Sequence, residues 1–234
     1  MKYLQAETHL GGNECATDAE TSAKVLELQF KELEQQIEAL GTDAPLDERL
    51  RLTLDMCYSM LQANMGQEAW DLARKTLDQA VGDELWLRAV EACDVMFQTE
   101  ATEAVKALAH GIWLGVTFPV DPELSVAMLQ HLIDDSPDRS DGAGVAAATA
   151  CYLVDLRAVG KQRDELMFFS NQLLGQVARR HSQVEEQEIF DFWVQQLELD
   201  DPEKFLPRLA QVLDIMTGGR WWFDRGELRS RIPA

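Results

Sequence analysis

Apolar side chains recur every three or four positions along most of this chain, the spacing that places them on one face of an α-helix. The first such run follows residue 17 and ends at Gly41, a residue type that is common just after a helix C-terminus. It spans about two heptads, fewer than the three or four that indicate a coiled coil. The pattern favours an amphipathic helix packed on its neighbour, with the seam of a homodimer as the alternative. That seam consists of Leu26, Phe30, Leu33, Ile37 and Leu40.

The same spacing continues to residue 217 and is punctuated by helix start and stop signals. Asp-Pro-Glu occurs at 121–123 and again at 201–203, an N-cap followed by a proline and an acid in the first turn. Ser182 and Glu185 have the spacing of a capping box, and Pro207 predicts a short turn before the helix that it begins. Together these signals predict further helices at 46–64, 68–81, 83–97, 100–115, 121–133, 145–159, 164–181, 182–199 and 207–217.

No segment shows the sustained alternation of apolar and polar residues that is typical of a half-exposed strand. The fold class is therefore predicted to be all-α, with nine to ten amphipathic helices in antiparallel hairpins. Both an irregular helical repeat, of the solenoid kind, and a multi-helix bundle fit this pattern.

The organisation along the chain is predicted in three parts: a flexible leader at 1–16, a single helical domain at 17–219 and a C-terminal segment at 220–234. The sequence DDSPDRSDGAG at 134–144 is rich in Asp, Ser, Gly and Pro, and it predicts a solvated loop. A hinge between two halves and a long connection inside one domain are equally consistent with that loop.

The sequence GQEAWDLARKTLDQA at 66–80 resembles the second helix of a tetratricopeptide unit, in which small residues let neighbouring helices approach. The resemblance is limited to these residues. The preceding helix lacks the Trp-x-x-Leu-Gly pattern, and no second copy follows roughly 34 residues away, the length of one repeat. Membership of that family does not follow.

The excess of acidic side chains limits the classes of partner that the protein is expected to bind. The 234 residues include 41 acidic and 21 basic side chains, a net charge of −20. Nucleic acids and anionic membranes are disfavoured as partners, because binding to either requires a basic surface.

The N-terminal residues lack the apolar stretch of a secretory signal, and the longest uncharged run, 107–120, is too short to cross a bilayer. A cytoplasmic location is predicted.

The residues that commonly carry chemistry are few and scattered. Cysteines 15, 57, 93 and 151 include no CxxC pair and are predicted to be reduced, with the last three in the core. His110 and His131 lie on consecutive predicted helices, and the sequence leaves open whether they meet. His9 and His181 lie near acidic residues without a metal-ligand spacing. No catalytic residue, metal ligand or cofactor is predicted.

The composition changes abruptly after Gly219. The last fifteen residues carry a net charge of +2, and three aromatic rings stand side by side within them. One interpretation folds this segment back, with its rings in a groove and its arginines against the acidic body. The other makes it a docking segment for another protein, because Trp and Arg dominate interface energies. The predicted partner contacts are Arg220, Trp221, Trp222, Phe223 and Arg225.

These observations predict a non-enzymatic protein that binds another protein, as an adaptor or an assembly factor. Its surface would be acidic and helical, with the Arg- and Trp-rich C-terminal segment as the anchor. The alternative is a maturation chaperone for a metalloenzyme or a redox subunit. A metal-dependent or histidine-based enzyme using His110 and His131 is a weaker third hypothesis.

Overall fold

The computed structural model describes residues 3–4, 16–41 and 43–232, and this part of the chain contains eleven α-helices and no strand. The all-α prediction is confirmed, with one helix beyond the nine to ten expected. The added helix, α11, lies inside the predicted C-terminal segment. The helices are α1 Ala16–Ala39, α2 Leu46–Gln62, α3 Gly66–Gly82, α4 Trp86–Gln98, α5 Ala104–Thr117, α6 Pro122–Asp134, α7 Asp141–Arg157, α8 Gly160–Ser182, α9 Gln187–Gln196, α10 Pro202–Thr217 and α11 Arg225–Ser230.

The chain divides into two compact units at 107/108, a boundary that lies within α5. In the first unit, 5–107, helices α1 to α4 pack consecutively, and α2 also contacts α4. Contact between every second helix is typical of stacked hairpins. Small residues at the interfaces, such as Ala69 and Ala73 on α3, are fully buried and permit this close approach.

A partly buried ion pair between Arg88 and Asp47 also joins α2 to α4, and Arg88 pairs with the buried Glu91 on α4 itself. Arg88 donates to Asp47 over 2.9 Å and to Glu91 over 2.7 Å, and Glu91 is only 2% exposed. Burial lowers the pKa of Arg88, but the hydrogen bonds to Asp47 and Glu91 outweigh burial and raise it overall. The guanidinium therefore stays charged and compensates the carboxylate of Glu91.

The predicted seam of α1 is half-buried along its length, at Leu26, Phe30, Leu33, Ile37 and Leu40. Helix α1 packs against α2. The prediction of a packed amphipathic helix is therefore confirmed. The homodimer through the same seam stays a prediction.

The second unit comprises 108–234 together with 1–4. Here α6, α7 and α8 pack consecutively, α6 also contacts α8, and α7 is contacted by α10. Helix α7 is therefore covered from three directions, which explains its alanine-rich sequence: Ala143, Ala146, Ala147 and Ala150 are all buried. Helix α9 packs on α8 and buries Trp193.

Several predicted boundaries were wrong. Helix α7 begins at Asp141, inside the expected loop at 134–144, so the link between α6 and α7 is short. Ser182 ends α8 instead of starting α9, because Gln183 takes a left-handed conformation with φ of 56°. Pro207 lies within the continuous helix α10, and Asp83 follows α3 instead of capping α4, whose N-cap is Leu85.

The predictions for the leader, the cysteines and membrane-spanning segments can be compared with the structure only where they fall on described residues. Cys15 lies outside them, and so does the leader at 1–16 apart from residues 3, 4 and 16. Cys57 and Cys93 are buried and Cys151 is half-buried, all three as free thiols. In the part of the chain that the structure describes, no helix is both long enough and apolar enough to cross a membrane.

Candidate protein-interaction site

The C-terminal segment turns back on the second unit immediately after α10. Gly218 and Gly219 both have positive φ, 59° and 70°, a conformation that glycine adopts without steric cost. Residues 220–224 then follow an irregular path to α11. The side chain of Asp224 caps α11 by accepting from the amides of Gly226 at 2.8 Å and Glu227 at 3.1 Å.

The three adjacent rings of this segment surround one buried imidazole of α5. His110 is fully buried, and the ring of Trp222 stacks on it at 4.1 Å between centroids. Trp221 lies 4.8 Å away and Phe223 meets it edge-on at 5.1 Å. Because 220–224 is not helical, consecutive residues can face the same imidazole. A single helix face could not achieve this.

The same imidazole is bound to the main chain of the segment. Nε2 of His110 accepts a hydrogen bond of 2.9 Å from the amide of Trp222. Since a main-chain N–H can only donate, Nε2 carries no proton in this arrangement. His110 therefore holds the segment both by ring stacking and by one directed hydrogen bond.

Trp221 is fixed on its other side by charged groups. Asp214 of α10 accepts a hydrogen bond of 2.9 Å from Nε1 of Trp221. The same Oδ1 atom pairs with Arg225 at 2.9 Å, and the guanidinium of Arg225 lies 4.1 Å from the Trp221 ring centroid. Arg225 thus combines an ion pair with a cation–π contact.

A cleft of about 550 Å³ opens beside these groups. Arg229 lines it, with its guanidinium 5.5 Å from the ring centroid of Trp113. Among the described residues, no carboxylate lies within ion-pair distance of Arg229, whereas Arg225 is already paired. The other lining residues are Ala210, Asp214, Trp221, Phe223, Asp224, Arg225 and Gly226. The cleft therefore combines aromatic walls with a cation that is available to an anionic group.

The structure brings most of the predicted partner contacts together. Trp221, Trp222 and Phe223 are half-buried against their own chain, and Arg225 is bound to Asp214. Arg220 is exposed. Whether a partner also contacts these five residues stays a prediction.

Three residues of this site were not singled out from the sequence: Trp113, Asp214 and Arg229. His110 was singled out, but for metal or catalytic chemistry and not as the residue that the C-terminal rings surround. His110 and Trp113 gave one signal, because they are a polar and a large aromatic side chain within the uncharged run at 107–120. Asp214 and Arg229 gave none, since surface acids and arginines are common.

His9 lies outside the described residues, and His181 lies at the end of α8. Nε2 of His181 is 3.1 Å from Asp141, while its Nδ1 accepts from Nε1 of Trp193 at 3.2 Å and lies 2.6 Å from Ser182 Oγ. These bonds tie α8 to the start of α7 and to α9. His131 occupies the last turn of α6. Over residues 3–4, 16–41 and 43–232, no group of three His, Cys, Asp or Glu side chains is placed to hold a metal ion.

In comparisons with known proteins, no family model, no curated protein and no solved structure matches this chain. The assignment of function therefore rests on the geometry of the site.

Proposed function

We propose that this chain is a non-enzymatic, cytoplasmic helical protein that binds another protein, as an adaptor or an assembly factor. The binding surface is the cleft formed by α10, the segment 220–224 and α11. Its partner inserts a carboxylate next to an apolar or aromatic side chain.

The observation that carries the proposal is the contrast between two arginines one helical turn apart. Arg225 forms an ion pair with Asp214, whereas Arg229 lies over the Trp113 ring with no ion-pair partner among the described residues. A guanidinium held against a ring at the wall of a cleft is pre-organised for bidentate pairing with a carboxylate. Trp and Arg are also the side chains that most often dominate binding energy.

Exposed apolar side chains in the second unit add support. Ile215, next to Asp214 on α10, is 80% exposed, and Phe192 on α9 is 63% exposed. Large exposed apolar groups are a common feature of surfaces that bind other proteins.

The test is recovery of partners from native cells with the tagged full-length protein. Arg229→Glu reverses the charge at the cleft, and Lys161→Glu is the matched control on α8, where the Lys161 side chain is 89% exposed. We expect mass spectrometry to recover the same partners with wild type and Lys161→Glu. Arg229→Glu is expected to recover them at least about tenfold less, the loss of one charge-assisted contact.

Equal recovery by Arg229→Glu and wild type would show that the cleft is not the binding surface. Circular dichroism of both variants establishes that each remains helical. Turnover of a substrate by the purified protein would contradict the non-enzymatic assignment itself.

A further inference from the structure

A buried carboxylate on α6 binds the main chain of the N-terminal segment. Glu123, the second residue of α6, is only 8% exposed. Its Oε1 accepts from the amide of Tyr3 at 2.7 Å and from the amide of Leu4 at 3.3 Å. Tyr3 and Leu4 are non-helical, and both are half-buried.

No side-chain counter-ion of this carboxylate lies among the described residues. Across the described residues, the two amides are the hydrogen-bond donors to the Glu123 carboxylate, and no Lys, Arg or His lies within ion-pair distance of it. A carboxylate removed from water requires such donors, because burial without them is costly. If the N-terminal segment dissociates, the Glu123 carboxylate can accept hydrogen bonds from another pair of main-chain amides.

The local sequence of the helix start does not explain this arrangement. Asp201-Pro202-Glu203 begins α10 with the same three residues, and Asp201 accepts from the Glu203 amide as Asp121 does from that of Glu123. Glu203 is nevertheless exposed. The burial of Glu123 and its two bound amides are therefore features of this place in the fold.

We propose that Glu123 is the centre of a second binding site, which takes an extended peptide through two successive main-chain N–H groups. The chain's own residues 3–4 fill it in this structure. The exchanging ligand is an extended segment of a partner protein that presents an aromatic and an aliphatic residue in succession, as Tyr3 and Leu4 do. Its own N-terminal segment thus acts as an intramolecular competitor. This site is separate from the C-terminal cleft.

The test uses the full chain with Tyr3→Pro and Leu4→Pro, which removes both donating amides while keeping the segment attached. The probe is a fluorescein-labelled peptide, MKYLQAET, followed by anisotropy. Wild type is expected to bind it at least about tenfold more weakly than the double-proline variant, because the attached segment competes at a high effective concentration.

Two further changes locate the binding at Glu123. Adding Glu123→Ala to the double-proline variant is expected to abolish the binding, whereas adding Glu203→Ala is the matched control and should leave it unchanged. Adding Arg229→Glu should also leave it unchanged, so this result is independent of the proposed function.

A modified peptide keeps the test decisive even if Glu123→Ala does not fold. Methylation of the two peptide nitrogens at its Tyr and Leu removes the N–H donors, and this peptide is expected not to bind the double-proline variant. Equal binding of methylated and unmodified peptides would overturn the proposal. Equal affinity of wild type and the double-proline variant would overturn it too.

Discussion

Replacement of His110 by alanine tests the contact that holds the C-terminal segment. The substitution removes a fully buried ring that touches three aromatic rings, and it leaves the amide of Trp222 without its acceptor. We expect the free energy of unfolding of the full chain to fall by about 3–7 kcal/mol, the sum of one lost acceptor and three lost ring contacts.

The magnitude follows from two separable contributions. Loss of the acceptor leaves a main-chain donor unsatisfied, which costs about 1–3 kcal/mol. Loss of the ring costs about 0.5–1.5 kcal/mol for each aromatic pair, together with the cavity that it leaves. The total cannot exceed the free energy of docking of the segment, because beyond that value the segment detaches.

Two further variants separate the contributions. His110→Phe keeps a stacked ring and loses the acceptor, so it should cost about 1–3 kcal/mol. His110→Gln offers an amide oxygen to the Trp222 amide and loses the stack. Urea unfolding followed by tryptophan fluorescence measures the stability of each, and limited trypsin digestion after Arg225 and Arg229 reports detachment of the segment.

The reasoning would be refuted by a His110→Ala protein that unfolds at the urea concentration of wild type and resists trypsin equally. A His110→Phe protein as stable as wild type would refute the role of the hydrogen bond alone.

Three other predictions follow from the buried contacts. Arg88→Met should destabilise by about 3–5 kcal/mol because it removes the guanidinium that pairs with the buried carboxylate of Glu91, and adding Glu91→Leu should restore most of that loss in urea unfolding. Gly115→Val should cost about 1–3 kcal/mol, because a Cβ there would lie 3.1 Å from Ser125 Oγ, and Ser125→Ala should relieve part of the strain; a Tm unchanged by Gly115→Val would contradict it. Burial raises the pKa of Cys57 to about 12, so its thiol should resist iodoacetamide at pH 8 until the chain unfolds; mass spectrometry that finds rapid labelling of the native protein would disprove this.

The sequence predicted those elements whose signals are local. Both Asp-Pro-Glu starts are confirmed, since the side chains of Asp121 and Asp201 accept from the amide two residues on. The Ser182 capping box failed because its hydroxyl lies against His181, and Gln183 ends α8 in a left-handed conformation. A capping pattern states only what a side chain can bind, and tertiary contacts decide what it does bind.

Only the C-terminal part of the site could be predicted from the sequence. The adjacent rings at 221–223 are conspicuous because no helix face can bury all three. The residue that these rings pack against could not be predicted, because the His110 imidazole is 112 positions away from Trp222 along the chain. A buried polar side chain on an apolar helix needs a partner, but sequence alone cannot say which amide supplies it.

The two buried acceptors, Glu123 and His110, bind segments from opposite ends of the chain. Both residues belong to the second unit, and each accepts at least one main-chain amide from a non-helical terminal segment. Main-chain N–H groups are alike from one residue to the next. The side chains beside them must therefore determine which amide each acceptor binds. At the C-terminus three rings do so, and the segment is fixed to one arrangement. At the N-terminus two half-buried residues do so. Because fewer side chains hold it, we expect the N-terminal contact to be the weaker of the two, and exchange with another chain to cost less there.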